Sequence, residues 1–180
     1  GNHTITFQGR DNYTTWSPKV SSWLVVKAYP NATIVSQSSY SIDFGDLLSF
    51  SGSGSDEDGT ITGYEWISSR DGLLSTNSSF SSTSLSVGFH WVTFKVKDND
   101  TLWSLPVTTQ ISVNDIPVSV INGITPQIAY QNNLTNYIIT FNGSTYDKDG
   151  RITSYYWSSS KDGTLSELGN FTFNVNNLTL

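Results

Sequence analysis

The sequence predicts an all-β protein made of two tandem β-sandwich domains, the second of which is incomplete. Three observations support this class. Apolar residues occur in short runs between clusters of Ser, Thr, Asn and Gly, as is typical of strands and turns. One long segment recurs without a gap, and the opening segment repeats part of the middle of the chain. We therefore expect three parts: residues 1–30, 31–117 and 118–180.

The internal repeat defines the two domains. The stretch FSGSGSDEDGTITGYEWISSRDGLLS, from Phe50 to Ser75, returns as FNGSTYDKDGRITSYYWSSSKDGTLS, from Phe141 to Ser166. Apolar residues alternate with polar ones in the two-residue period of half-buried strands, which predicts about seven short strands in roughly 90 residues. With a Trp on the third strand of each copy, the pattern indicates an immunoglobulin-like sandwich whose Trp belongs to the core.

The same residues resemble a known family. SGSGSDEDGTITGYEW, followed by GFHWVTFKVKDND, is similar to the signature of the PKD domain, an immunoglobulin-like β-sandwich module. The first half of that signature occurs twice, and the resemblance extends over nearly the whole chain. It implies non-catalytic domains of the kind found in archaeal surface layers, extracellular filaments and secreted hydrolases. An archaeal, extracellular protein is the expectation that follows.

The second copy ends before its last two strands. After Phe171 it reads NVNNLTL, where the first copy continues through Gly88 into two more strands. The opening segment matches those strands at a constant offset of 87. The matched pairs include His3 and His90, Phe7 and Phe94, Asp11 and Asp98, Trp16 and Trp103, Val20 and Val107, Val26 and Val113, and Pro30 and Pro117. Residues 1–30 therefore carry the strand pair that residues 118–180 lack.

An incomplete sandwich exposes core side chains and unpaired backbone, so the two strands must be supplied. Closure within one chain would require residues 1–30 to reach around the complete domain, which disfavours it. Donation to a neighbouring subunit instead builds a head-to-tail polymer of identical chains. The predicted donor interface consists of Ile5, Phe7, Trp16 and Val20. A slice of a longer tandem polypeptide would show the same pattern.

Charge and motifs argue against several functions. The net charge is −6 and the nine Lys and Arg residues form no stripe, so nucleic acid is not an expected partner. No apolar run is long enough to span a membrane. There is no G-x-S-x-G motif and no zinc-ligand spacing, and both histidines are predicted to be structural. The sequence predicts no catalytic residue and no enzyme.

Aspartates are candidate calcium ligands. In an immunoglobulin-like sandwich, the loop of Asp56 and Asp58 shares one end with the loop of Asp98. In the second copy, Asp147 and Asp149 would be joined by Asp11 of the donor segment. Ca²⁺ favours several carboxylate oxygens. Aspartates in such loops also cap turns through backbone hydrogen bonds, and both interpretations stay open.

Nine N-x-S/T sequons predict N-linked glycans on an exported, cell-surface protein. The acceptor residues are Asn2, Asn12, Asn31, Asn77, Asn99, Asn133, Asn142, Asn170 and Asn177. An Asn-, Ser- and Thr-rich chain also forms sequons by chance.

The leading hypothesis is a glycosylated structural subunit of an extracellular, pilus-like or thread-like filament used in adhesion or biofilms. The alternative is an accessory binding module of a secreted hydrolase or surface-layer protein. Trp23 and Trp91 have no counterpart in the other repeat, so they are candidates for contact with a subunit or a surface glycan.

Overall fold

The computed structural model describes residues 1–131 and 137–179. This part of the chain forms fifteen β-strands and one 3₁₀ turn, Val175–Asn177. The chain divides into two compact units, Gly1–Ser112 and Val113–Leu180. Within the described residues, no helix has the length and apolar character needed to cross a membrane.

The first ten strands lie in or begin in the first unit. They are β1 (Asn2–Phe7), β2 (Val20–Val25), β3 (Asn31–Gln37), β4 (Ser41–Asp43), β5 (Leu48–Ser55), β6 (Ile61–Ser68), β7 (Gly72–Ser75), β8 (Ser79–Ser82), β9 (Gly88–Asp98) and β10 (Val107–Asn114). Strands β3, β5 and β8 form one sheet, and a second sheet has the order β4-β10-β9-β6-β7. Strands β1 and β2 form a separate antiparallel hairpin.

The two larger sheets enclose one core, so the sandwich is complete. Strand β9 alternates buried and partly exposed residues, as expected for a strand with one face in the core. Its buried side chains include Val92, Phe94 and Val96. The largest fully buried side chain is Trp66 of β6, which contacts Phe50 of the opposite sheet. The Trp predicted to belong to the core does so.

The second unit contains the remaining five strands. They are β11 (Val118–Thr125), β12 (Ile138–Tyr146), β13 (Trp157–Ser159), β14 (Gly163–Ser166) and β15 (Asn170–Asn174). One sheet has the order β11-β12-β15, and β13 and β14 form a two-stranded sheet. The unit has a small core of Ile139, Phe141 and Val175.

These five strands repeat β3, β5, β6, β7 and β8 of the first unit. The correspondence extends to irregularities, because the register shifts between Ile34 and Ser36 in β3 and between Ile121 and Gly123 in β11. Strands β9 and β10 have no counterpart among the described residues of the second unit. No strand lies between β11 and β12 among the described residues, so β4 also has no counterpart there. The all-β, sandwich-like class is confirmed, whereas the domain boundaries at residues 30 and 117 stay predictions.

Candidate assembly site

The complete sandwich shows what β9 contributes to a core of this type. Phe94 stacks on Trp66 with ring centroids 4.2 Å apart, and both side chains are fully buried. Gly52 on the opposite sheet leaves room for this ring, because a Cβ at Gly52 would lie 2.5 Å from Cε1 and Cζ of Phe94. Strand β9 therefore fills a space that is lined by a glycine and a tryptophan.

The hairpin of β1 and β2 reproduces the local geometry of β9 and β10. Hydrogen bonds in the connecting loop recur at the offset of 87: Gly9 N to Ser17 Oγ (3.1 Å) matches Val96 N to Ser104 Oγ (3.1 Å), and Thr15 N to Asp11 Oδ1 (2.8 Å) matches Leu102 N to Asp98 Oδ1 (2.8 Å). Thr14 and Thr101 share an unusual positive φ of 72° and 71°. The hairpin therefore has the conformation of the strand pair that it repeats.

One face of this hairpin is apolar and exposed. Ile5 lies opposite Ser22, and Phe7 lies opposite Val20, so these four side chains share a face. Phe7 is 72% exposed, whereas its counterpart Phe94 is 0% exposed. Ile5 and Val20 are also more than half exposed. Three predicted donor residues thus lie together on one face that the first unit leaves open.

Two further residues belong to this face. Leu24 pairs with His3 in the register, and both point to the same side as Ile5 and Phe7. The counterpart of Leu24 is Ile111, which is fully buried in the complete sandwich, and Val26 corresponds to the buried Val113. Neither Leu24 nor Val26 was predicted as a donor residue. Applying the offset of 87 together with the two-residue period along β2 would have identified them.

Trp16 has a different environment from the other predicted donor residues. The guanidinium carbon of Arg10 lies 5.7 Å from its ring centroid. The counterpart Trp103 likewise lies beside the ammonium groups of Lys95 and Lys97, at 5.0 and 5.8 Å. This contact lies within the loop of Trp16 itself, and a role of Trp16 at the interface stays a prediction.

The second unit contains an open groove where β9 would lie in a complete sandwich. The groove has a volume of about 590 Å³, and its lining includes Val120, Ile121, Gly143, Thr145, Tyr155 and Trp157. Residues 151–156, which correspond to the first part of β6, belong to no strand. In the first unit, this part of β6 is held by pairing with β9. The groove therefore lies beside the segment that corresponds to the first part of β6.

Trp157 keeps the core contacts that do not depend on β9. Its ring contacts Phe141 and Phe171 at centroid distances of 5.6 and 5.7 Å. Its Nε1 donates to Leu168 O at 3.0 Å, as Trp66 Nε1 donates to Asn77 O at 3.1 Å. Trp157 is partly exposed, whereas Trp66 is fully buried. One side of the second tryptophan is thus open to a partner.

The aspartate loops of the first unit combine capping with unpaired oxygens. Asp58 accepts a hydrogen bond from Ala28 N at 3.2 Å and lies 3.9 Å from Lys27 Nζ. A hydrogen bond from Lys27 to Asp100 raises the pKa of the lysine. Among the described residues, no donor bonds either carboxylate oxygen of Asp56 or Oδ2 of the buried Asp98.

The other three predicted calcium ligands accept hydrogen bonds from backbone nitrogens. Asp147 accepts from the backbone of Asp149 and Gly150, and Asp11 accepts from Tyr13 N. Asp149 accepts from Asp115 N at 3.1 Å. Within residues 1–131 and 137–179, no group of three or more His, Cys, Asp or Glu side chains is arranged to hold a metal ion. Calcium binding stays a prediction.

The predicted glycan acceptors in the described residues are all exposed. They are Asn2, Asn12, Asn31, Asn77, Asn99, Asn142, Asn170 and Asn177. Asn133 lies outside the described residues. Trp23 and Trp91, the candidates for a glycan or subunit contact, are also exposed, at 74% and 52%.

Comparisons with known proteins give structural likenesses only. No family model matches the sequence, and no curated protein is similar to it. Fibronectin(III)-like modules of Clostridium thermocellum CbhA are similar over 64% of this chain and 63% of theirs, at 15% identity and a TM-score of 0.45. The PKD1 domain of Vibrio anguillarum Epp matches 49% of this chain and 99% of that domain, at 21% identity and a TM-score of 0.39. The PKD1 domain of the Vibrio cholerae metalloprotease PrtV matches 48% and 99%, at 18% identity and 0.35. Two of these three structures are PKD domains, the family whose signature the sequence resembles.

Proposed function

We propose that this chain is a non-catalytic structural subunit of a glycosylated extracellular filament for adhesion or biofilm formation. In this proposal, the β1–β2 hairpin of one copy completes the second unit of the next copy. The main support for the proposal is that the β1–β2 hairpin matches the groove of the second unit. The hairpin exposes the residues whose counterparts fill the core of the first sandwich, and the second unit is open at the corresponding place.

The register of the complete sandwich gives the register of the proposed joint. In the first unit, Trp66 lies opposite Phe94, and Ser68 lies opposite Val92. The two offsets convert these pairs into Trp157 opposite Phe7 and Ser159 opposite Ile5. Phe7 would then stack on Trp157 and lie over Gly143, whose missing Cβ leaves room for the ring. Backbone pairing of residues 8–11, which directly follow β1, would extend β13 through residues 152–156.

Burial of the hairpin's apolar face supplies the free energy of association. Ile5, Phe7 and Leu24 would each contribute about 1.5–3 kcal/mol if fully buried. Paired backbone adds hydrogen bonds along an edge that is otherwise prone to aggregation. The hairpin already has its bound conformation, so little conformational entropy is lost on docking.

Each copy carries one hairpin and one groove, and these are different surfaces. A contact between unlike surfaces propagates from copy to copy and gives an open polymer unless the rotation closes a ring. A filament is therefore the expected product of this joint.

Replacing Phe7 tests the proposal. Phe7→Asp should give unassembled chains, because a carboxylate would be buried against Trp157. Thr6→Asp is the matched control, since Thr6 is the next residue and faces the opposite side of β1. We expect filaments from the parent chain and the Thr6 variant, and none from the Phe7 variant. Electron microscopy and sedimentation velocity measure this difference.

Two results would contradict the proposal. Normal filaments from Phe7→Asp would show that the hairpin is not the donor. A parent chain that remains a folded monomer would favour an accessory module or closure within one chain. Hydrogen exchange at residues 151–156 distinguishes these two, because only closure protects that segment in a monomer.

A further inference from the structure

His90 in the complete sandwich occupies a buried polar site. The imidazole is 0% exposed, and its Nδ1 lies 2.7 Å from Ser68 Oγ. Its Nε2 lies 2.7 Å from the carbonyl oxygen of Ser86, and an Asp71 oxygen lies 3.5 Å from Nδ1. Because a carbonyl oxygen only accepts, Nε2 carries the proton and donates to Ser86. Both ring nitrogens are thus engaged inside the core.

Backbone hydrogen bonds fix the groups around this imidazole. Ser68 Oγ accepts from the backbone nitrogens of Arg70 and Asp71, at 3.1 and 3.2 Å. Its hydroxyl proton is therefore available to Nδ1 of His90. Asp71 accepts a hydrogen bond from Ser86 N at 3.0 Å, which holds Ser86 beside the turn that contains Asp71. Burial acts to raise the pKa of Asp71, but the hydrogen bonds from Ser86 outweigh burial and leave the pKa lowered.

The second unit contains the same arrangement, formed by Ser159, Asp162 and Thr179, which we call the Ser159 cluster. Ser159 Oγ accepts from the backbone nitrogens of Lys161 and Asp162, at 3.2 and 3.3 Å. Asp162 accepts from Thr179 N at 2.7 Å, as Asp71 accepts from Ser86 N. The Ser159 cluster therefore repeats the His90 site position by position.

One hydrogen bond distinguishes the two sites. In the Ser159 cluster, the hydroxyl of Ser159 donates to Asp162 Oδ2 at 2.8 Å. In the first unit, the matching hydroxyl faces the imidazole of His90. Hydrogen bonds from Thr179, and then from Ser159, lower the pKa of Asp162. The serine hydroxyl thus has a local acceptor and can turn to a ring nitrogen when one is present.

We infer that the Ser159 cluster is a binding site for the imidazole of His3 from a second copy of this chain. The inference rests on the proposed filament, because His3 reaches the cluster only when β1 docks in the groove. His3 is the counterpart of His90, and it is exposed on the same face of the hairpin as Phe7. In the register of the proposed joint, Ile5 lies opposite Ser159, as Val92 lies opposite Ser68 in the first unit. His3 is two residues before Ile5, as His90 is two residues before Val92. His3 would therefore reach Ser159 as His90 reaches Ser68.

This site would determine the register of the joint. In the correct register, His3 donates from Nε2 to the carbonyl oxygen of Thr179 and accepts from Ser159 at Nδ1. A slip by two residues in one direction would place the apolar Ile5 against the Ser159 cluster, and a slip in the other direction would bury His3 without partners at the place of Ile5. Leaving a buried polar group unpaired is more costly than losing a contact, so the site rejects wrong registers.

A double-mutant cycle on full-length chains tests the inference. The measured quantity is the rate at which fluorescently labelled chains exchange between filaments. His3→Ala and Ser159→Ala should each accelerate exchange about three- to tenfold, the effect of one or two buried hydrogen bonds. The double variant should exchange no more than about twofold faster than either single variant, because the same interaction is removed once. Thr4→Ala, on the opposite face of β1, should leave the rate unchanged.

The possible outcomes separate this inference from the filament proposal. If the parent chain forms filaments and the two single effects multiply in the double variant, His3 and Ser159 do not interact and the inference is wrong. If the parent chain forms no filament, the proposed function fails and the inference fails with it. Exchange of the imidazole C2 hydrogen for deuterium gives a second measurement. In filaments, His3 should exchange as slowly as the buried His90, and in the Phe7→Asp monomer it should exchange much faster. Rapid exchange of His3 in filaments would overturn the inference.

Discussion

Gly9 of the hairpin stands where the strand that it repeats has a buried valine. Its counterpart Val96 is fully buried against Gly54, where a Cβ would lie 2.8 Å from Cγ2 of Val96. In the second unit, the counterpart of Gly54 is Thr145, which lines the groove. The larger residue of this facing pair is therefore on β9 in the first unit, but on β12 in the proposed joint. A valine on β9 faces a glycine on β5, whereas a glycine after β1 would face a threonine on β12.

This exchange of sizes predicts the effect of Gly9→Val. The added side chain would meet Thr145 in the joint, and overpacking of this kind costs about 1–3 kcal/mol. We expect the affinity of each joint to fall by a corresponding factor, with the first unit still folded. Adding Thr145→Gly to the same chain should restore assembly, because the pair then matches Val96 and Gly54. Sedimentation velocity over a range of concentrations measures the affinity. Weakening by Gly9→Val without rescue would show that Gly9 and Thr145 do not face each other.

At the scale of the strand, periodicity and repetition predict different amounts of the structure. The two-residue alternation in the stretch containing Tyr64 and Trp66 predicts a strand, and β6 is present in the first unit. The same alternation at Tyr155 and Trp157 gives only β13, the three residues Trp157–Ser159. Side-chain pattern gives a segment its preference for extended backbone, but a strand needs a partner for its backbone hydrogen bonds. Residues 151–156 have the alternating side-chain pattern but no partner strand among the described residues.

The candidate site was predictable to the extent that it depends on alignment of the repeats. The offset of 87 identifies Ile5, Phe7 and Val20, and the structure places these three on one exposed face. The alignment of LTL with LSV of the first copy pairs Thr179 with Ser86, but alignment alone does not show which side chains these residues contact. The position of Thr179 beside Asp162 becomes visible only from the hydrogen bond that joins them. Short sequence motifs predict local turns, whereas the Ser159 cluster forms where segments that are separated in the sequence come together.

The loops at one end of the first sandwich give a prediction about calcium. Asp56 and Asp98 hold carboxylate oxygens without a hydrogen-bond donor among the described residues, and Asp98 is buried. An unpaired buried carboxylate is unfavourable unless a cation or donor satisfies it. We expect calcium to raise the melting temperature of the first unit and EGTA to reverse the change, because a ligand bound only by the folded state stabilises it.

Variants of the same loops provide the control. Asp98→Asn should abolish the shift caused by calcium, whereas Glu57→Gln, at an exposed residue in the loop of Asp56, should retain it. Differential scanning calorimetry, together with elemental analysis of the purified protein, measures both effects. A melting temperature that is insensitive to calcium, in protein that contains no metal, would show that these aspartates do not bind calcium.

At the scale of the whole molecule, the sequon of Asn2 and the apolar face of the hairpin belong to different surfaces. The apolar face of the hairpin carries His3, Ile5 and Phe7, whereas Asn2 alternates to the opposite face. Asn12 and Asn99 lie in the matching loops after β1 and β9, and Asn77 lies in the turn before β8. A glycan on Asn2 is therefore compatible with docking of the hairpin.

The positions of the sequons predict which of them carry glycans. Asn12, Asn77 and Asn99 should be occupied, because they lie in exposed loops. Asn99 Oδ1 accepts from Thr60 N at 2.7 Å, but glycosylation modifies Nδ2 and leaves that bond intact.

Asn142 and Asn170 lie directly opposite each other on β12 and β15, where side chains are about 5 Å apart, so one glycan should exclude the other. Glycopeptide mapping of filaments from the native source, with intact mass after denaturation, measures occupancy above the 19.8 kDa of the chain. Chains modified at both Asn142 and Asn170 would contradict the exclusion, and unmodified peptides covering every sequon would contradict glycosylation altogether. Masses at multiples of one subunit would show that the joints are covalent, in which case the same strands pair within a continuous polypeptide.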